Sequence, residues 1–110
     1  MEISMRQMEK ATILDISGNI NLEYSSEVRR RLLLEIRGKR TPKLILNMKD
    51  VKYIDSSGVA SLVEGLKASR NAGSKLILLG LSPNAYQVLQ LSKLLSFFEI
   101  CDSEDKALEA

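Results

Sequence analysis

The sequence contains no histidine, one cysteine and no tryptophan. Without histidine a Ser-His-Asp triad cannot form, and a zinc site would need several thiolates. The single thiol, Cys101, cannot form an internal disulfide, so we expect a reducing compartment. Neither Gly-rich phosphate loop, G-x-G-x-x-G or G-x-x-x-x-G-K-[ST], occurs. These absences predict a protein without metal, cofactor or catalytic activity of its own.

Neither basic nor acidic residues are in large excess, and long apolar runs are also lacking. The 16 basic and 14 acidic residues give a net charge of +2, which argues against direct binding to nucleic acid. The dense basic cluster Arg29–Arg31, with Arg37, Lys39 and Arg40 nearby, is more simply a solvated helix face. No apolar run approaches the roughly 20 residues that span a bilayer, and Met1–Ser4 lacks the pattern of a signal peptide. We therefore expect a soluble, cytoplasmic protein without membrane insertion.

The 110 residues, 45% of them apolar, fit one domain, residues 1–110, with one hydrophobic core. The apolar pattern and the turn residues predict strands over 3–8, 11–17, 43–48, 75–79 and near 97–100, and helices over 25–37, 57–72 and 104–109. A further helix is predicted to start at Ser82-Pro83, with Ser82 as its cap. This order predicts an α/β domain with a mixed, mostly parallel central sheet of about four to five strands and about four helices. The first hairpin would supply an antiparallel edge.

Several local signals refine these boundaries. Ser25 or Ser26 is predicted to cap the first helix, and Gly38 suits the position just after its end. Asp102 or Ser103 is expected to cap the last helix. Phe97, Phe98 and Cys101 are predicted to be core residues near the last strand.

The stretch Asp55-Ser56-Ser57-Gly58 carries the chemistry. It lies between the apolar strand Leu44–Leu46 and the helically spaced Val59, Leu62, Val63 and Leu66. A helix start offers unpaired N–H groups and the positive end of the helix dipole, so a phosphate would be well placed there. An ordinary N-cap is the simpler explanation of the tetrapeptide alone. However, three capping candidates stand in a row, beyond the carboxyl end of an inner strand, where ligands of open α/β sheets bind.

An enzymatic role for these serines lacks support in the sequence. A serine nucleophile needs a base, histidine is absent, and no lysine is paired with Ser56 by any pattern. A serine that receives a phosphate needs none of this, because a partner kinase supplies the chemistry.

Over nearly its whole length the chain resembles the STAS domains, named for sulfate transporters and anti-sigma factor antagonists. It is most similar to the small stand-alone bacterial antagonists, also called anti-anti-sigma factors. The resemblance is carried by Gly18–Asn21, Leu44–Asn47, Val51–Gly58, Gly73–Leu76, and Leu94 with Phe98 and the final acidic helix.

The resemblance implies a partner-switching mechanism. Ser56, or less readily Ser57, would be the phosphoacceptor. The unphosphorylated protein would bind an anti-sigma factor that is a serine kinase of the histidine-kinase-like ATPase fold, and so regulate transcription indirectly. Phosphorylation would release the partner, and a PP2C-type phosphatase would reset the switch. The residues expected at the partner-binding surface are Asn21, Tyr24, Tyr53, Asp55, Ser56, Ser57, Gly58, Val59 and Ala60.

Two positions depart from the family pattern. Gly58-Val59-Ala60 stands where members often carry Gly-Leu-Gly, so Ala60 adds a methyl group. Asn21 stands where the antagonists commonly have an aspartate, and asparagine keeps the hydrogen-bonding ability without the charge.

Two other functions remain open from the sequence. Some stand-alone STAS proteins are subunits of a membrane lipid-transport ABC complex and bind its ATPase subunit. A small-ligand or nucleotide sensor would use only the outward-facing helix N-terminus.

Overall fold

The computed structural model describes all residues, 1–110, and contains five strands and four α-helices. In chain order the elements are β1 (Glu2–Gln7), β2 (Thr12–Ser17), α1 (Ser25–Leu33) with a π-helical turn (Leu34–Gly38), β3 (Lys43–Asp50), α2 (Ser56–Ala72), β4 (Lys75–Leu79), α3 (Pro83–Leu91), a 3₁₀ turn (Leu95–Phe97), β5 (Glu99–Cys101) and α4 (Glu104–Glu109). The predicted α/β architecture is confirmed.

The strands form one sheet in the order β1-β2-β3-β4-β5. β1 pairs antiparallel with β2, with Ile3 opposite Ile16, so the predicted hairpin edge is confirmed. The other three pairings are parallel. The carboxyl ends of β2, β3, β4 and β5 therefore lie at the same edge of the sheet, and the connections that leave this edge shape the functional site.

Both faces of the sheet are covered. Helices α1, α2 and α3 pack on one face in a cluster of 19 buried residues, and α4 packs on the other in a cluster of six. Along β3, Leu44 and Leu46 point into the first cluster and Ile45 into the second. This explains why the strand is apolar at consecutive positions.

Polar contacts attach the short helix α4 to the sheet. The Arg6 guanidinium bonds Asp15 at 2.6 Å and Glu104 at 2.7 Å. These bonds hold the pKa values of both carboxyl groups below their usual range. The buried ammonium of Lys43 donates to the backbone oxygen of Leu108 at 2.8 Å, which caps the carboxyl end of the helix.

The start of α1 differs from the prediction. The helix begins after Tyr24, whose side chain makes no capping bond, and neither Ser25 nor Ser26 serves as the cap. Asn21 instead orders the turn before the helix, because its Oδ1 accepts from the backbone N–H groups of Glu23 and Tyr24 at 3.1 and 3.3 Å. This Asx turn prepares the chain for the helix.

The end of α1 also differs. The regular helix stops at Leu33 instead of Arg37 and continues as the π-helical turn. Gly38 lies inside that turn, and the left-handed position falls on Arg40, with φ of 53°. We expected Gly38 just after the helix end, because glycine tolerates the left-handed conformation best.

At the carboxyl-terminal side, Ser103 caps α4 as predicted and accepts from the N–H of Lys106. Phe98 is buried, but Phe97 is 52% exposed, so its prediction as a core residue was wrong. Its ring lies 6.0 Å from the Arg70 guanidinium carbon, at the surface. Cys101 is half-buried in β5.

Candidate functional site at the start of helix α2

Two loops meet at the carboxyl edge of the sheet. Ile20, in the loop after β2, forms an isolated parallel bridge with Ile54, in the connection between β3 and α2. The Ile20 N–H donates to the Tyr53 oxygen, and the Asp55 N–H donates to the Ile20 oxygen, both at 3.2 Å. These bonds hold the residues before α2 against the residues before α1.

Asp55 is the N-cap of α2 and the hydrogen-bonding centre of the site. Its Oδ1 accepts from the Ser57 and Gly58 N–H groups at 3.0 Å each, and also from the Ser57 hydroxyl. Its Oδ2 accepts from the Leu22 N–H at 3.1 Å. The Ser57 hydroxyl, together with these backbone N–H groups, lowers the pKa of the Asp55 carboxyl. Asp55 therefore carries a fixed negative charge at neutral pH.

This arrangement changes the prediction of an open phosphate site. Two N–H groups at the start of α2 already bond the Asp55 carboxylate, and the Val59 N–H bonds the Asp55 backbone oxygen at 3.0 Å. An incoming phosphate would have to compete with a carboxylate of the same sign for these donors. The favourable end of the helix is thus largely satisfied from within the chain.

The two serines of the motif have different surroundings. The Ser57 side chain is half-buried and donates to Asp55, so it is a donor to the cap rather than a second cap. Ser56, the first residue of α2, is exposed. The Ser56 hydroxyl makes no hydrogen bond within the chain. Of the two hydroxyls, that of Ser56 is therefore the accessible one.

Gly58 is required by close packing. A Cβ atom at this position would lie 2.6 Å from the backbone oxygen of Ile20, well inside the 3.0 Å at which Cβ atoms clash with their neighbours. Val59, the next residue, is 7% exposed and belongs to the core. Neither residue offers an exposed side chain, and their contact with a partner stays a prediction. Ala60, one residue further, is exposed.

The surface around Ser56 is partly apolar. Tyr53 is 58% exposed and Leu22 is 80% exposed, while Tyr24 is half-buried in the same loop as Asn21. Sequence reasoning missed Leu22, because no pattern distinguishes a lone leucine in a polar loop. Its N–H bond to Asp55 fixes this exposed residue beside the motif.

Sequence reasoning also missed Asn84, in the first turn of α3. Its Oδ1 accepts from the Ile54 N–H at 3.1 Å, and the nearby Ser82 hydroxyl donates to the Lys52 oxygen at 2.7 Å. The predicted helix start at Ser82-Pro83 was confirmed, with Ser82 accepting from the Ala85 N–H. Nothing in the local pattern indicated that the same turn also supports the motif.

No three side chains of His, Cys, Asp or Glu come together in a way that could hold a metal ion. Among the helices, none has both the length and the apolar character needed to cross a membrane.

Comparison with known proteins places these features in a family. The model of the STAS domain matches residues 2–107. The chain is 24% identical over 108 residues to the anti-sigma F factor antagonist of Paenibacillus polymyxa, covering 98% of this chain and 92% of that protein. An anti-sigma factor antagonist from Mycobacterium paratuberculosis has a similar structure, with a TM-score of 0.87, 15% identity, and coverage of 98% of this chain and 91% of that one.

The Bacillus cell fate determinant SpoIIAA in its phosphorylated form also shares the fold, with a TM-score of 0.75 at 19% identity. That similarity covers 98% of this chain and 97% of the SpoIIAA chain. Because the family model spans nearly every residue, the chain belongs to the STAS domain family.

Proposed function

We propose that this protein is an anti-sigma factor antagonist whose binding is switched by phosphorylation of Ser56. The observation that carries the proposal is the contrast between the two hydroxyls of the motif. The Ser57 hydroxyl is bound to Asp55, whereas the Ser56 hydroxyl is exposed on the first residue of α2. The names of the relatives support the antagonist role, and a phosphorylated form of SpoIIAA supports the modification.

The partner would be an anti-sigma factor that is also a serine kinase of the histidine-kinase-like ATPase fold. The apolar side chains of Leu22 and Tyr53 flank the acceptor, and exposed aromatic residues suit the centre of an interface. Ala60 extends this surface along α2. The chain itself supplies only the acceptor hydroxyl, so the kinase and a PP2C-type phosphatase perform both reactions.

Electrostatics explains how phosphate would end binding. A phosphoserine carries about −1.5 to −2 charges at pH 7 and would stand next to the ionised Asp55. Two unit charges about 4 Å apart interact by about 1 kcal/mol in water and about 4 kcal/mol at an effective permittivity of 20. The helix N–H groups that could offset this repulsion already bond Asp55. In a desolvated interface the dianion is therefore costly, and the complex dissociates.

The proposal is tested by incubating the protein with ATP and its cognate kinase and mapping phosphate by mass spectrometry. We expect one phosphate, on Ser56, that is absent from Ser56→Ala. Ser26→Ala is the matched control, because Ser26 is also exposed on the first turn of a helix, and it should be labelled normally. Labelling that persists in Ser56→Ala would refute the assignment. Copurification with a Walker-loop ATPase, without any phosphate, would instead support the lipid-transport ABC subunit.

A further inference from the structure

A concave site lies at the carboxyl-terminal end of α2, away from Ser56. A half-open cavity of about 620 Å³ lies between the π-helical turn and the last turn of α2. The exposed residues Pro42 and Ala72 contribute apolar atoms to its wall, and Arg37 and Arg40 also line it. Cavities of about 300–1,000 Å³ are typical of small-molecule sites. At about 1.5 Å per residue along α2, the cavity is on the order of 20 Å from Ser56.

The cavity carries positive charge without a counter-charge. No acidic residue lines it. Arg37 and Arg40 are exposed, and neither guanidinium forms a hydrogen bond or an ion pair within the chain. The acid of the same turn, Glu35, is buried and already bonded to Lys39 at 2.9 Å. The two arginines are therefore free to bind an anion from outside.

The backbone that presents these arginines is irregular. The Lys39 N–H donates to the Leu34 oxygen, five residues earlier, at 2.9 Å, as in a π turn. Arg40 then adopts the left-handed conformation, with φ of 53°, which glycine would adopt with less strain. Both π turns and strained residues occur frequently at functional sites. A backbone role alone would favour glycine at this position, so the arginine side chain itself needs an explanation.

The neighbouring helix end opposes an anion in part, because the backbone oxygens of Asn71 and Ala72 accept no hydrogen bond and the dipole of α2 is negative here. The two guanidinium groups must outweigh this contribution. The carboxyl-terminal oxygens of Ser69 and Arg70 accept from the N–H groups of Ser74 and Gly73 at 2.8 and 3.3 Å. Asn71, the next-to-last residue of α2, also lines the cavity and can donate from its amide.

We propose that this cavity binds a small molecule that carries phosphate or carboxylate groups, through Arg37 and Arg40. A guanidinium offers paired donors that match both oxyanions, and the apolar wall suits the carbon skeleton of such a molecule. The size of the cavity favours a small molecule as the occupant. The proposal is independent of Ser56 and its phosphorylation.

The test is an NMR titration of the isotope-labelled protein with inorganic phosphate and, separately, with succinate, at constant ionic strength. We expect saturable shifts of the Gly38 and Gly73 N–H signals with at least one of the two ions. The Ser56 signal should stay in place. The arm that saturates identifies the oxyanion, and shifts that grow linearly with both ions would overturn the proposal.

Variants connect the binding to the two arginines. R37Q/R40Q should weaken binding at least about tenfold. R40G should also weaken binding but melt at the same temperature as the wild type or higher, because glycine relieves the left-handed backbone. The control R30Q/K93Q removes two exposed charges outside the cavity and should bind within about twofold of the wild type.

Two results would contradict this assignment. Equal affinity of R40G and the wild type would show that the Arg40 side chain does not bind the ion, even if R37Q/R40Q failed to fold. Binding of hexaglutamate about tenfold more tightly than of either small ion would identify the occupant as an acidic protein segment, and the small-molecule class would be wrong.

Discussion

Replacing Asp55 by alanine tests the central contact of the site. The substitution removes an acceptor that bonds the N–H groups of Ser57, Gly58 and Leu22 and the Ser57 hydroxyl. Loss of an N-cap costs about 0.5–2 kcal/mol, typically about 1. The bond from the Leu22 N–H contributes about 1 kcal/mol more. This is the middle of the usual range for a hydrogen bond, because the site is partly hydrated.

The expected total loss for Asp55→Ala is therefore about 2 kcal/mol of the free energy of unfolding. For a domain of this size that corresponds to a fall in melting temperature of about 8 °C. The measurement is urea and thermal unfolding followed by circular dichroism at pH 7. Asp55→Asn keeps an Oδ1 acceptor and should lose less than about 1 kcal/mol.

The pH dependence separates the charge from the hydrogen bonds. The pKa of Asp55 is lowered in the folded protein, so the native state holds the carboxylate more strongly than the unfolded chain. This stabilisation is complete well above the unfolded pKa of about 3.9 and is lost as the pH falls through the folded pKa. The stability difference between wild type and Asp55→Ala should thus shrink on acidification. Asp15 and Glu104 titrate in both proteins, so their contribution cancels in the difference.

Ser56→Ala is the matched control, because its exposed hydroxyl has no partner in the chain. Its stability should lie within about 0.5 kcal/mol of the wild type. A melting temperature of Asp55→Ala close to that of Ser56→Ala would refute the role given to the cap. So would a stability difference that stays constant from pH 7 to below the unfolded pKa.

Three further substitutions probe the packing and the loops. Gly58→Ala should destabilise by about 1–3 kcal/mol in urea unfolding, despite the better helix propensity of alanine, because its methyl group meets the Ile20 backbone; an unchanged midpoint would contradict this. Lys43→Met should raise hydrogen exchange in α4, because the Leu108 oxygen loses its charged donor; unchanged protection would argue against the cap. Asn21→Asp should melt within about 4 °C of the wild type, because aspartate preserves the Asx turn; a larger fall would refute that turn.

Most of the fold was predictable because its signals are local. The apolar runs of β3 and β4 and the turn residues at each end fix the elements, and consecutive apolar residues indicate a strand covered on both faces. The end of α1 was not predictable, because the π turn depends on where the buried residues Glu35 and Ile36 pack. That tertiary demand moves the left-handed position from Gly38 to Arg40.

The site was predictable where one residue type performs one local task. Asp55 before a helix is a cap in the sequence and in the structure. The contacts of Leu22 and Asn84 were not predictable, because each depends on a loop that comes close only when the sheet is assembled. The burial of Val59, by contrast, follows from its helical spacing with Leu62, Val63 and Leu66.

The cap also limits how the protein could respond to a phosphate on Ser56. A flexible carboxylate could rotate away from a new negative charge, but Asp55 is held by donors from α2 and from the loop before α1. Moving it would break the helix cap and its bond to the Leu22 N–H together. The repulsion is therefore retained at the surface instead of being relieved by rearrangement. For this reason we expect phosphorylation to act on the complex with the partner while the fold of the free protein stays intact.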